Sequence, residues 1–390
     1  MSGARAVVIG AGVVGANVAY RLAQAGAEVV VVAAGAPGGG TSGASFAWAN
    51  SFGKTPRGYH DLNVASMAEH RRLGEELGGA WLRQVGNLKW EEEPAAQARL
   101  RETAARLREW DYELELIRPA EARAMEPELA IGPGVEEVVF TPREAYVEVA
   151  PFVAALLAAA TRAGARLLTG RRVTALVREG ARVRGAVLAD GTRLEGDVVV
   201  NCAGPAAGEV TRMAGVALPI DGEPGRLVYT APVAVTLLRP IHAPGVHFRP
   251  DGAGRVVLAE EAHDLVVEHP AASPIGVGGH GSRPPDAPHY AAPSAGARDG
   301  WTPERSLAAA ARYLPALAGT RVEATRVGVR PMPRDRHPVV GGVPGLDGFY
   351  VVVSHSGVTL GPLWGQVAAA EIVAGRPDPR LAPFRAARFV

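Results

Sequence analysis

The sequence predicts an α/β protein in which a Rossmann-like dinucleotide-binding domain is interleaved with a second domain, α+β in character, built on a mostly antiparallel sheet. Three observations predict it. Residues 1–35 read as strand, glycine turn, helix and strand. A helix followed by strands at 151–201 resumes the same sheet. From Pro219 to Leu258 the pattern changes to short β-rich pieces punctuated by Pro and Gly, as in an antiparallel sheet.

Arg5 to Ile9 is a continuous apolar run, and Val18, Ala19, Leu22 and Ala23 after the glycines have helical spacing until Gly26 stops them. Val29 to Val32 is β-branched without polar alternation, as in a strand buried on both faces of a parallel sheet. Amphipathic helices are expected over Ala65–Leu77 and Ala95–Trp110, and an alanine-rich helix over Pro151–Ala163. Strands follow at Arg166–Leu168, Val173–Arg178, Val183–Leu188 and Asp197–Asn201, with an Ala189-Asp190-Gly191 turn among them. Arg226–Thr230, Val246–Arg249 and Arg255–Leu258 are the strands of the second architecture. A helix at Pro303–Leu314, strands at Arg321–Arg330 and Gly348–Val353 and a last helix at Pro362–Ala374 complete the chain.

Composition narrows the function classes. The 390 residues are 47% hydrophobic and 21% charged, enough for a large core and more than one domain, and against disorder. A net charge of +1 supplies no field toward nucleic acid or an anionic membrane, so neither is an expected partner. The glycines at 10, 12 and 15 break the N-terminal apolar run, which reads as neither signal peptide nor membrane span. One cysteine, Cys202, excludes an intramolecular disulfide, and the cytoplasm is the expected compartment. Lysine occurs only at Lys54 and Lys89; every other basic residue is arginine. His263, His269, His280 and His289 are spaced by 6, 11 and 9 residues, which matches no compact metal motif, and no metal is expected.

Gly10-Ala11-Gly12-Val13-Val14-Gly15 lies between a strand and a helix, the context that gives a GxGxxG motif meaning. Gly10 allows the tight turn, Gly12 lets a pyrophosphate reach the backbone, Gly15 lets helix and strand pack, and the helix N-terminus offers amide donors. The acid expected at the end of the second strand to hold a ribose is absent: Ala33 and Ala34 stand there. The glycine motif alone does not choose between FAD and a nicotinamide dinucleotide.

Val7 to Gly15, Thr41-Ser42-Gly43-Ala44-Ser45, Asn201-Cys202-Ala203-Gly204-Pro205, Gly328-Val329-Arg330-Pro331 and Ser354-His355-Ser356-Gly357 occur in this order, with Leu381-Ala382-Pro383-Phe384-Arg385 near the end. Together they resemble the FAD-dependent D-amino-acid oxidase, glycine oxidase and sarcosine oxidase family. The resemblance implies noncovalent FAD between an FAD-binding domain in three parts (1–75, 146–217, 326–390) and a substrate domain in two (76–145, 218–325). It carries cofactor contact onto Gly10, Gly12, Val13, Val14, Gly15, Ala33, Ala34, Thr41, Ser42, Ser45, Phe46, Val173, Ala203, Gly204, Gly357, Val358 and Thr359. The glycine loop 357–361, read as lying just before the last helix, would face the N1 side of the flavin with backbone amides and a helix N-terminus.

The resemblance also puts Arg330 where the family's arginine pairs with a substrate carboxylate, and His247 where glycine oxidases carry a tyrosine over the site. A guanidinium fork gives bidentate, oriented recognition, and a histidine near neutral pH can accept an amine proton. His355 reads as structural. The lysine that sarcosine oxidases place beside the flavin has no counterpart on Arg255–Leu258. The implied reaction is oxidation of a CH–NH bond in an amino acid or N-substituted amino acid, with a small amine or amino acid as partner. The alternatives are a flavin-binding protein without turnover and a nicotinamide-dependent dehydrogenase. The stretch 259–300, rich in Pro and Gly, is expected to be a substrate-side element, and the sequence does not indicate an oligomeric state.

Overall fold

The computed structural model describes residues 3–260 and 301–390. Its first sheet has nine strands. Along the main path the order is Val173–Glu179, Arg182–Leu188, Leu346–Val353, Val198–Asn201, Arg5–Ile9, Glu28–Ala33 and Arg166–Thr169, with Arg193–Glu195 and Val339–Val343 joined at the side. Its centre is parallel: Val8 pairs with Val31 on one side and Val200 on the other. These β-branched runs fit a strand covered on both faces.

On one face pack the first helix (Val13–Gln24), the helix Val149–Arg162 and the final helix (Gly357–Ile372), around Leu22, Phe152 and Trp364, all essentially inaccessible. The first and final helices lie close because the final one presents glycine. A Cβ at Gly365 would sit 2.6 Å from the Asn17 carbonyl oxygen, and one at Gly361 would sit 2.8 Å from Asn17 Nδ2.

The second sheet has eight strands, ordered Val322–Pro333, Ile220–Thr230, Val256–Glu260, Val246–Pro250, Ile241–Ala243, Asn87–Lys89, Val138–Thr141 and Glu115–Ile117. All its pairings are antiparallel except that of Ile241–Ala243 with Asn87–Lys89. It has its own core around Trp90, Phe248 and Ile241. A small third sheet joins Trp48–Ala49, Ala145–Val147 and Leu82–Arg83.

The long strand Val322–Pro333 belongs wholly to the second sheet and runs across the 325/326 boundary expected from sequence. The helix expected at Ala65–Leu77 starts earlier, at Arg57, burying Tyr59, His60 and Leu62 on its inward face. The larger correction concerns the final helix, which begins at Gly357 and contains Pro362 inside it. Residues 357–361 are therefore its first turns and not a loop before it. Proline removes the amide that would bond to the Val358 carbonyl four residues back. His70 Nε2 supplies the missing donor, 2.8 Å from that oxygen. His70 is fully buried, and burial lowers its pKa to about 4, so the ring is neutral at ordinary pH.

Candidate active site

The glycine turn fixes one end of the site. Gly10 has φ +113°, and a Cβ there would lie 2.3 Å from the Cys202 carbonyl oxygen, so strand, turn and the Asn-Cys-Ala-Gly segment close on one another only with glycine. A Cβ at Gly15 would lie 2.0 Å from the Gly10 oxygen, which is the close helix–strand packing the motif needs. Ser42 Oγ accepts from the Val13 amide at 3.0 Å, bringing the 41–45 turn over the helix N-terminus. Thr41 Oγ1 donates to the Val329 carbonyl at 2.6 Å, and a Cβ at Gly328 would sit 2.5 Å from the Ala44 oxygen. The turn is thus clamped between the first helix and the strand that carries Arg330.

A cavity of about 520 Å³ opens over this turn and over the N-terminus of the final helix, walled by residues of both sheets. Gly10, Gly12, Val13, Val14, Thr41, Ser42, Ser45, Phe46, Ala203, Gly204, Gly357, Val358 and Thr359 line it, as do Arg330 and His247. Four expected residues do not. Gly15 is packed behind the turn, Ala33 is buried at its strand end and Ala34 is exposed. Val173 opens a hairpin strand with its side chain in the core beside Val7 and Ile9. The wall near the second strand is instead made by Ala36, Gly38 and Gly40. The side chain of Thr359 is engaged in the scaffold, donating to the Trp48 carbonyl at 3.2 Å.

On the second-sheet wall of the cavity, Arg330 is paired across the sheet with Glu223; Nη2 lies 3.0 Å from Oε1, while Arg336 Nη1 lies 3.0 Å from Oε2 of the same carboxylate. His247 pairs across its hairpin with His242, ring centroids 4.1 Å apart, and Trp48 lies against His242 at 3.9 Å. Asn87 Oδ1, 2.6 Å from Nδ1, fixes His242, and burial together with His247 pushes its pKa well below the usual histidine range. Trp48 Nε1 donates to Glu144 at 2.8 Å.

Sequence reasoning missed a polar cluster beneath the final helix. Ser356, its N-cap, accepts from Tyr59 OH at 2.8 Å and from Lys54 Nζ at 3.3 Å, and lies 3.3 Å from His355 Nε2. Burial, then the nearby cations Lys54, Arg330 and Arg336, push the His355 pKa well below its ordinary value. His355 and Lys54 both line the cavity, so His355 is a wall residue of the site. The available signal for Lys54 was its rarity in an arginine-rich chain. Among the described residues no group of three or more His, Cys, Asp or Glu could hold a metal, and no helix is long and apolar enough to cross a membrane. The four histidines of the 263–289 stretch, and all but Ala259 and Glu260 of the expected 259–300 element, lie outside the described residues.

The Rossmann-like sheet, the glycine cradle and the cavity beside two helix N-termini define a dinucleotide-binding protein. The chain belongs to the DAO family of FAD-dependent oxidoreductases, which matches residues 5–371. It is similar to a glycine oxidase of Pseudomonas aeruginosa, 27% identical over 385 residues that cover 95% of each chain. The crystal structure of glycine oxidase from Geobacillus kaustophilus superposes with a TM-score of 0.80 at 23% identity, covering 99% of this chain and 100% of that one. L-proline dehydrogenase from P. horikoshii superposes with 0.81 at 20% identity, covering 97% and 96%. These last two likenesses show the fold. Family membership overturns the nicotinamide alternative, and FAD is the cofactor.

The residues present fit that group. The glycine turn, the Ser42 hydroxyl and the positive end of the first helix, whose Val13 amide is already held by Ser42 Oγ, form the part of the wall that suits a pyrophosphate. A second helix N-terminus, at Ser356 and Gly357, lies beside it, a Cβ at Gly357 falling 3.1 Å from Val14 Cγ2.

Proposed function

We propose that the protein oxidises the CH–NH bond of an amino acid or N-substituted amino acid. The observation that carries this reading is a cavity whose wall includes both the dinucleotide cradle and the side chains Arg330 and His247. FAD, when bound, supplies the hydride acceptor. Arg330 orients the substrate carboxylate, which fixes the α-carbon in place. His247, packed against His242 and Phe46, stands on the substrate side to hold or accept an amine proton. The amides at the start of the final helix, which line the cavity, would stabilise negative charge on a bound flavin. Loss of hydride from carbon and a proton from nitrogen leaves an imine, which water hydrolyses to an oxo acid and ammonia or an amine.

FAD binding is noncovalent in this reading: the sole cysteine is buried behind the glycine turn, and its thiol is pushed far above the ordinary range by burial. The division of the chain into FAD-binding and substrate parts follows the two large sheets, with residues 326–333 assigned to the substrate side. The test is an absorbance spectrum of the purified protein, then anaerobic bleaching of the flavin bands by a panel of amino acids and N-methyl amino acids. Bands that no member of the panel bleaches would leave a flavin-binding protein without turnover and overturn the reading.

A further inference from the structure

Among the described residues Lys54 is a cation of the cavity wall without a counter-ion. Its ammonium has one hydrogen-bond partner, the neutral hydroxyl of Ser356 at 3.3 Å, and among the described residues no carboxylate oxygen lies within ion-pair distance. Arg330 and Arg336 differ from it, since they share Glu223 at 3.0 Å each. The other nearby acid, Glu144, has both oxygens engaged: Oε2 with Trp48 Nε1 at 2.8 Å, and Oε1 with the Phe52 amide at 3.2 Å and Tyr112 OH at 2.5 Å. Enclosure lowers the Lys54 pKa to about 8, against the pull of Glu144 and helped by Arg330, so the group is still largely charged at neutral pH. A cation withdrawn from water without a counter-ion is costly unless a ligand brings one.

We propose that Lys54 holds a second acid group of the substrate, so that the preferred substrates are amino acids with two carboxylates, N-carboxyalkyl amines among them. This rests on the amino-acid reading above. Lys54 selects the class. Among the described residues at this end of the cavity the two arginines share Glu223, whereas Lys54 has no carboxylate within ion-pair distance. An amino acid with one carboxylate, held by Arg330, leaves Lys54 without a counter-ion. A second carboxylate on the same molecule supplies one. The two anchors also stand on different elements, Arg330 on the Val322–Pro333 strand and Lys54 on the segment before the Arg57–Leu77 helix. Two anchors on separate supports suit two acid groups on one small molecule.

The test uses the FAD-loaded protein at pH 7.5. Unreactive acids are titrated against the flavin spectrum, acetate and propionate as monoacids, malonate and succinate as diacids, and the ratio of dissociation constants is read. Anaerobic bleaching by glycine and alanine, against aspartate and N-(carboxymethyl)alanine, gives the same ratio for reactive ligands. The expected result is diacids at least tenfold tighter, with the preference lost in Lys54→Met and kept in Lys54→Arg. Equal affinities for the two classes in the unaltered protein, or a ratio that Lys54→Met leaves unchanged, would overturn the proposal. The comparison in the unaltered protein needs no variant to fold. Failure of every amino acid to bleach the flavin tells against the oxidoreductase reading, whereas bleaching without a diacid preference tells against this inference alone.

Discussion

Replacing Arg330 by lysine keeps the charge and removes the planar fork. In the structure Nη2 of Arg330 is engaged with Glu223, whose other oxygen is held by Arg336, so the variant leaves Glu223 with a partner and the strand intact. What is lost is one of the two parallel donors offered to a carboxylate. A hydrogen bond to a charged group contributes about 1.5–3 kcal/mol, so substrate binding should weaken about 10- to 100-fold. The side chain is 30% exposed, and screening by water favours the lower end of that range. Anaerobic stopped-flow bleaching against substrate concentration separates the two consequences: a higher dissociation constant, and slower limiting reduction from a less well-held α-carbon. FAD content should stay near one per chain, because the contacts that hold the 41–45 turn on the neighbouring strand are made by the Val329 carbonyl and by Gly328 and not by the Arg330 side chain. Unchanged binding and reduction of carboxylate substrates would refute the assignment and point to Lys54 as the sole anchor.

His247→Phe should keep FAD and slow flavin reduction about 10²-fold, flattening its pH dependence, since a positioned acid or base contributes about 10²–10⁴-fold; an unaltered pH–rate profile would show the imidazole to be packing only. Gly10→Ala should lower stability by more than about 2 kcal/mol in urea unfolding of the apoprotein, because the new Cβ meets the Cys202 oxygen at 2.3 Å from a backbone with φ +113°. A stable Gly10→Ala protein would mean that the turn relaxes. For His70, whose pKa falls from 6.5 to about 4 in the fold, the unfolded chain binds more protons between those values, so stability is present above pH 6.5 and is lost as pH falls toward 4. That loss amounts to about 3 kcal/mol, and His70→Gln, which still has a donor for the Val358 carbonyl, should show a shallower decline of the urea midpoint over the same range.

What could be read from the sequence was what local chemistry determines. The β-branched runs at 6–9 and 29–32 and the glycines between them specify a buried parallel pair and a tight turn whatever the rest of the chain does. Arg330 was singled out through the resemblance carried by Gly328-Val329-Arg330-Pro331, and the fold puts it on the cavity wall, with Gly328 pressed against the Ala44 oxygen. Trp48–Ala49 and Leu82–Arg83 were not legible: two-residue strands exist only through their pairing with Ala145–Val147, which no periodicity can show. The start of the final helix was misplaced because proline usually opens a helix, and the compensating donor, His70, lies 288 residues away in sequence. Lys54 and Glu144 escaped for the same reason, being ordinary surface residue types until the fold encloses them.

The burial of Cys202 has a practical consequence. Its thiol is shielded and held protonated far above neutral pH, and the backbone around it is fused to the glycine turn. Alkylating reagents attack the thiolate, so the native chain behaves toward them as if it had no cysteine. Leu167 in the first sheet and Leu238 beside the second are large apolar residues at the surface, 36% and 51% exposed. Cysteines introduced there would take up spectroscopic labels selectively, without first mutating the native one. The distance between two such labels would then follow how far the sheets part or close when a ligand enters the cleft between them.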